Sequence, residues 1–168
     1  MATQSQADTI AKLRSDKALA IATFGEAVAS YRYRVMAEKA ILHEDSEVFR
    51  EMADEEQEHK QRLEALNDEL YPDSDFILAR EDKALICAGP RLLEVRDRQS
   101  FRAAMRLLVQ SEQRTASFYE TLSHSVDEAR LKDTFRELSE EGYDHAQRLA
   151  ELRSQIAERL KEADDESD

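Results

Sequence analysis

Glu55-Glu56-Gln57-Glu58-His59-Lys60-Gln61-Arg62-Leu63 and Glu141-Gly142-Tyr143-Asp144-His145-Ala146-Gln147-Arg148-Leu149 are one segment written twice, offset by 86 residues. The same offset lays Glu26 on Glu112, Tyr33 on Tyr119, Phe49 on Phe135 and Arg50-Glu51 on Arg136-Glu137. Chance rarely supplies so many matches at one spacing, so the two halves read as copies of one unit. Equivalent residues of a duplicated unit lie about a pseudo-twofold axis, which makes a shared central site possible.

Each copy reads as a helix pair. The period of the apolar positions predicts helices over about 16–44, 46–70, 100–124 and 126–161. Asp45 or Ser46 is the expected cap of the second helix, Pro72 ends it, and Ser125-Val-Asp-Glu128 reads as a capping box opening the last. The connection between the pairs, broken by Gly89-Pro90, is too long for a hairpin turn and reads as a crossover along the bundle. Two antiparallel helix hairpins joined by such a crossover make an all-α, four-helix bundle of the ferritin-like arrangement. Residues 1–168 are expected to form one domain, with 1–15 and 162–168 flexible.

Every predicted helix carries a core-facing stripe, and polar residues interrupt all four stripes at one level. The first helix runs Leu19, Ala22, Glu26, Ala29, Tyr33, Met36, and the second Phe49, Met52, Glu56, His59, Leu63, Leu66. The third runs Met105, Leu108, Glu112, Thr115, Tyr119, Leu122, and the fourth Phe135, Leu138, Gly142, His145, Leu149, Leu152. Converging carboxylates in a core repel one another and need positive charge. Glu56 and His59 stand at i, i+3 and aim a carboxylate and an imidazole at one point. Glu and His without a thiolate favour iron or manganese over a structural zinc. A lone Glu is more often a solvated charge and a lone His a satisfied core residue; the level match across the duplication is what outweighs those readings. Tyr33 and Tyr119 suit core aromatics with satisfied hydroxyls, and His43 and His124 suit surface or capping positions.

Composition agrees. Of 168 residues 36% are charged, whereas Gly and Pro number only 3 and 2, which disfavours sandwiches, barrels and wound sheets. A net charge of −13 makes nucleic acid a poor partner. One cysteine, Cys87, excludes internal disulfides and a CxxC iron–sulfur or zinc knuckle. No apolar run suits a signal peptide or a membrane span, so the expected setting is cytoplasmic, without membrane contact.

With its paired Glu and ExxH stripes, the chain from about Asp16 to Lys161 resembles the rubrerythrin and erythrin branch of the ferritin-like diiron proteins. The resemblance implies that Glu26, Glu56, His59, Glu112 and His145 are metal ligands, with Glu56 bridging, and that two iron ions, or manganese or a mixed pair, are held. It implies an oxidoreductase acting on peroxide or dioxygen, commonly a homodimer. Three departures stand out. Gly142 occupies the place of a second bridging carboxylate, Thr115 that of a further glutamate, and no rubredoxin module is present, so electrons would come from a separate donor. Three carboxylates leave two divalent ions short of one negative charge. Glu141 is a candidate to supply it, lying roughly 40° from His145 on the helix wheel against roughly 60° for Gly142. Iron sequestration with ferroxidase activity, or a helical interaction module with a degenerate site, are the alternatives.

Overall fold

The computed structural model describes residues 3–165. Among them the regular structure is wholly helical: α1 (Gln4–Ala11), α2 (Ser15–Lys39), α3 (His43–Leu70), α4 (Arg80–Ala84), α5 (Arg98–Ser125) and α6 (Ala129–Asp165). The long helices α2 and α3 pack as one antiparallel hairpin and α5 and α6 as the other, with α2 meeting α5 and α3 meeting α6 across the bundle. The ferritin-like four-helix architecture expected from the duplication is the one observed.

Several boundaries differ from the sequence reading, each for a local reason. The α2–α3 turn falls at residues 40–42, ahead of the expected caps. Asp45 and Ser46 lie inside α3: the Ser46 hydroxyl donates to the Ala37 carbonyl at 2.8 Å and Asp45 accepts from Arg159 at 2.8 Å, tying the turn to α2 and α6. At the start of α6 the capping residue is Glu128, whose carboxylate accepts from the Leu131 amide at 2.8 Å, and Ser125 remains in α5. Within 1–15, expected to be flexible, α1 is capped by Thr3, and its Ile10 is fully buried in the core beside Phe118 and Leu122. At the other end α6 continues to Asp165, so 162–165 is helical; residues 1–2 and 166–168 of the two expected flexible ends lie outside the described residues.

The crossover lies against the bundle. Leu85 and Ile86 are buried, and a Cβ on Gly25 of α2 would sit 2.5 Å from Ile86 Cδ1, so glycine there lets the strap press against the helix. Arg32 of α2, 1% exposed, pins it further. Its guanidinium donates to the carbonyls of Ala88 at 2.8 Å and Pro90 at 2.6 Å, and to the Ser111 hydroxyl of α5 at 3.1 Å. These carbonyls answer part of its charge, while its Nε is buried without a hydrogen-bond partner.

The core falls into two apolar clusters. One gathers Leu19, Ala22, Leu63, Phe118, Leu122 and Phe135; the other gathers Met36, Phe49, Met52, Met105, Leu108 and Leu149. Between them, at the level where the stripes turn polar, lie Glu26, Glu56, Glu112 and His145, each at most 6% exposed.

Arg32→Ala removes the strap's fastening and opens a cavity beside Ser111. We expect a loss of about 1–3 kcal/mol, the range for leaving a buried neutral acceptor unpaired, with early proteolytic cleavage between 85 and 95. Wild-type melting together with wild-type protease resistance would show that the strap is held by Ile86 alone.

Candidate metal centre

The polar layer is built from two triads that share one member. Glu26, Glu56 and His59 bring ligand atoms within 4.8 Å of one another, and so do Glu56, Glu112 and His145. The shared residue divides its oxygens: Glu56 Oε2 lies 3.2 Å from His59 Nδ1, and Glu56 Oε1 lies 2.7 Å from His145 Nδ1. Glu26 Oε2 stands 3.6 Å from His59 Nδ1 and Glu112 Oε2 3.9 Å from His145 Nδ1. The two imidazoles face each other nearly parallel, their ring centres 6.0 Å apart. Helical periodicity is the cause, since Glu56 and His59 are one turn apart on α3 and Glu26 and Glu112 occupy equivalent turns of α2 and α5.

Each outer carboxylate is held from the opposite copy. The Tyr33 hydroxyl of α2 donates to Glu112 Oε1 of α5, and the Tyr119 hydroxyl of α5 donates to Glu26 Oε1 of α2. Both tyrosines are core aromatics with satisfied hydroxyls. Their bonds leave Oε2 of each glutamate turned to the centre. Glu26 Oε2, Glu56 Oε1 and His145 Nδ1 are buried with no aligned hydrogen-bond partner. Unpartnered carboxylate oxygens and an imidazole nitrogen converging in a buried layer fit a metal ion as their missing partner.

Proton affinities of the metal-free side chains report the same crowding. Burial, then the charge of Glu56, raises Glu26 well above the usual carboxylate range, and the same pair of causes pushes Glu112 up to about 8. Glu56 is held low in spite of burial, because Glu26 and both histidines supply hydrogen bonds to its charged form. Burial lowers the histidines, but the surrounding carboxylates outweigh it, raising His59 to about 11 and His145 to about 9. At neutral pH the metal-free layer therefore balances its charge with protons.

Two further residues enter from the rim. Glu141 belongs to neither triad; it pairs with the outer nitrogen, Nε2, of His59. Glu55, its counterpart in the first copy, lies 2.6 Å from His145 Nε2. The role of Glu55 was not read from the sequence, although the match of Glu55 with Glu141 was its signal. Thr115 joins no group, and His43 and His124 are exposed. Cys87 touches the Arg32 guanidinium, with its sulfur 3.4 Å from Nη2.

Gly142 has a steric reason. A Cβ there would stand 3.0 Å from Ala116 Cβ and 3.3 Å from Ala116 Cα, because α5 and α6 approach closely at that turn. The Ser139 hydroxyl donates to the Ala116 carbonyl at 2.9 Å, and in the first copy the Ser30 hydroxyl donates to the Ala53 carbonyl at 2.9 Å. Serine and alanine have exchanged places between the copies while the bond between the helices is kept.

A family model described as Rubrerythrin matches residues 17–152, a span that contains both triads. The chain belongs to the rubrerythrin family. A solved structure of a hypothetical protein from Pyrococcus furiosus superposes with a TM-score of 0.77 at 23% identity, covering 90% of this chain and 96% of that one. That likeness is one of fold. No curated protein matches the sequence. As a rubrerythrin-family chain it carries a metal-binding type of site, five side chains of which are present here as two linked triads. Among its described residues no helix is long and apolar enough to cross a membrane.

Metal must displace protons from Glu26, Glu112, His59 and His145. Affinity is therefore expected to rise with pH through about 8 and about 9, with acid released on binding, as a pH-stat titration with a divalent ion would record. The metal-free protein should behave oppositely. Raised folded-state values for Glu112 and His145 contribute stability at low pH that is lost as the pH climbs through those same values. Binding without proton release would refute this account.

Gly142→Glu is expected to destabilise the protein by about 1–3 kcal/mol through overpacking against Ala116. A variant melting like wild type with tighter metal binding would show that the helices part readily.

Proposed function

We propose that the protein holds two iron ions in the linked triads and acts as an oxidoreductase that reduces peroxide. Ferrous ions bound there would supply two electrons to hydrogen peroxide, which takes up two protons and leaves as two waters. The observation that carries the reading is the division of Glu56, one oxygen toward each histidine, which gives one carboxylate two cations to bridge.

The chain's own residues do the rest. Glu26 and His59 complete one ligand set and Glu112 and His145 the other. Tyr33 and Tyr119 keep the outer carboxylates from turning away, each through a bond made across the bundle. Phe135 and Leu63 on one side and Met52 and Leu149 on the other belong to the apolar clusters that flank the layer, which meets solvent at the rim of Glu55 and Glu141. With one cysteine these residues cannot hold an iron–sulfur knuckle, so electrons would reach the ions from outside this domain.

Three carboxylates against four positive charges favour an anion, hydroxide or peroxide itself, as the remaining partner. Gly142 contributes no group to fill that role.

Anaerobic addition of ferrous iron is expected to raise the melting temperature by roughly 5–10 °C at about a hundredfold excess over the dissociation constant, and added peroxide should then be consumed at one per two ferrous ions oxidised. Glu56→Ala should weaken both ions, whereas Glu26→Ala and Glu112→Ala should each weaken one. Oxidation by dioxygen with no consumption of peroxide would favour iron sequestration instead, and failure to bind any divalent ion would sink both.

A further inference from the structure

The centre is not twofold at its rim. His59 and His145 both point Nδ1 inward, toward Glu56, and both offer Nε2 to a glutamate of the opposite hairpin. Glu141 of α6 pairs by charge with the Nε2 of His59 on α3, out of line for a hydrogen bond, and Glu55 of α3 is hydrogen-bonded to the Nε2 of His145 on α6 at 2.6 Å. The two contacts cross the same α3–α6 interface in opposite directions. Equivalence ends there. Arg148 Nη1 stands 3.1 and 3.3 Å from the two oxygens of Glu55 and draws off part of its charge. The residue equivalent to Arg148 in the first copy is Arg62, and it donates to Glu137 instead, so among the described residues His59 is the only basic partner of Glu141.

We propose that Glu55 and Glu141 are positioning residues that hold the two histidines with Nδ1 toward the centre, and that Arg148 makes them unequal, so the ion beside His59 is held more tightly than the ion beside His145. This inference rests on the metal-binding reading but does not require its redox chemistry. A carboxylate on the outer nitrogen keeps the proton on Nε2, frees the lone pair of Nδ1 and makes the imidazole the stronger donor. A carboxylate shared with a guanidinium does so less. The side chains of Glu55 and Glu141 are 40% and 45% exposed, against 3% for Glu56, which suits an outer partner of the ring and not a bridging ligand.

Zinc tests the idea without electron transfer. In zinc-loaded wild type, nitrogen-resolved NMR of the imidazoles should find the proton of both rings on Nε2, and calorimetry should resolve a tighter and a weaker ion. Glu141→Ala should weaken the tighter ion by about 10–100-fold while two zinc ions still bind at saturation, with Glu141→Gln between it and wild type. Glu55→Ala should cost less at the other ion, and Arg148→Ala should tighten that ion and narrow the gap. Unchanged affinities and an unmoved His59 Nε2 proton in Glu141→Ala would overturn the proposal. So would the loss of one zinc from the saturated stoichiometry, which would make Glu141 a ligand, or equal costs for Glu55→Ala and Glu141→Ala, which would remove the inequality. Wild type that binds two zinc ions in this pattern but, when loaded with ferrous iron instead, leaves peroxide untouched would refute the function proposed above and leave this inference standing.

Discussion

Three carboxylates in the middle of an apolar bundle are the constraint on which the rest of this structure depends. Burial alone would expel Glu26, Glu56 and Glu112, and their mutual repulsion adds to the cost. They remain because the layer contains enough positive charge or protons to balance them, and because each of the four long helices contributes something to holding them. Two tyrosines reach across from the opposite copy, two histidines stand between the carboxylates, and rim glutamates steady the histidines. The apolar clusters on either side have little choice of register once this layer is in place.

Much of this was legible in the sequence, for a physical reason. A ligand set distributed over helix stripes must obey the helical period, and a duplication repeats it, so Glu26, Glu56, His59, Glu112 and His145 stood out at one level without any knowledge of contacts. The hairpin order and the crossover followed from the spacing of helix signals. What was not legible depends on partners distant in the chain. Asp45 and Ser46 look like caps by local chemistry, but Asp45 answers to Arg159 and Ser46 to Ala37. The polar composition of residues 3–14 gave no warning that Ile10 would be fully buried.

Glu141 is the instructive case. On a helix wheel it leans toward the core, and a missing charge invites it in. The fold puts the outer nitrogen of His59 in its way, and a half-exposed carboxylate beside an imidazole gains an ion pair without giving up its water. No wheel drawn for a single helix contains that alternative, because the competing partner sits on α3. The same holds for Gly142, whose meaning is a distance to Ala116 on α5 and is invisible along its own helix.

The contact at Gly142 also bears on how the two halves came to differ. Where the first copy carries Glu56, the second carries Gly142, and the methyl group and backbone of Ala116 stand where a side chain would begin. A carboxylate regained there would come at a cost in packing, since its Cβ would stand 3.0 Å from that of Ala116. The neighbouring helix would have to shift slightly to admit it. Packing thus sets a cost on returning the two copies to equivalence, and the difference between the half-sites is written into the α5–α6 contact as well as into the ligand set.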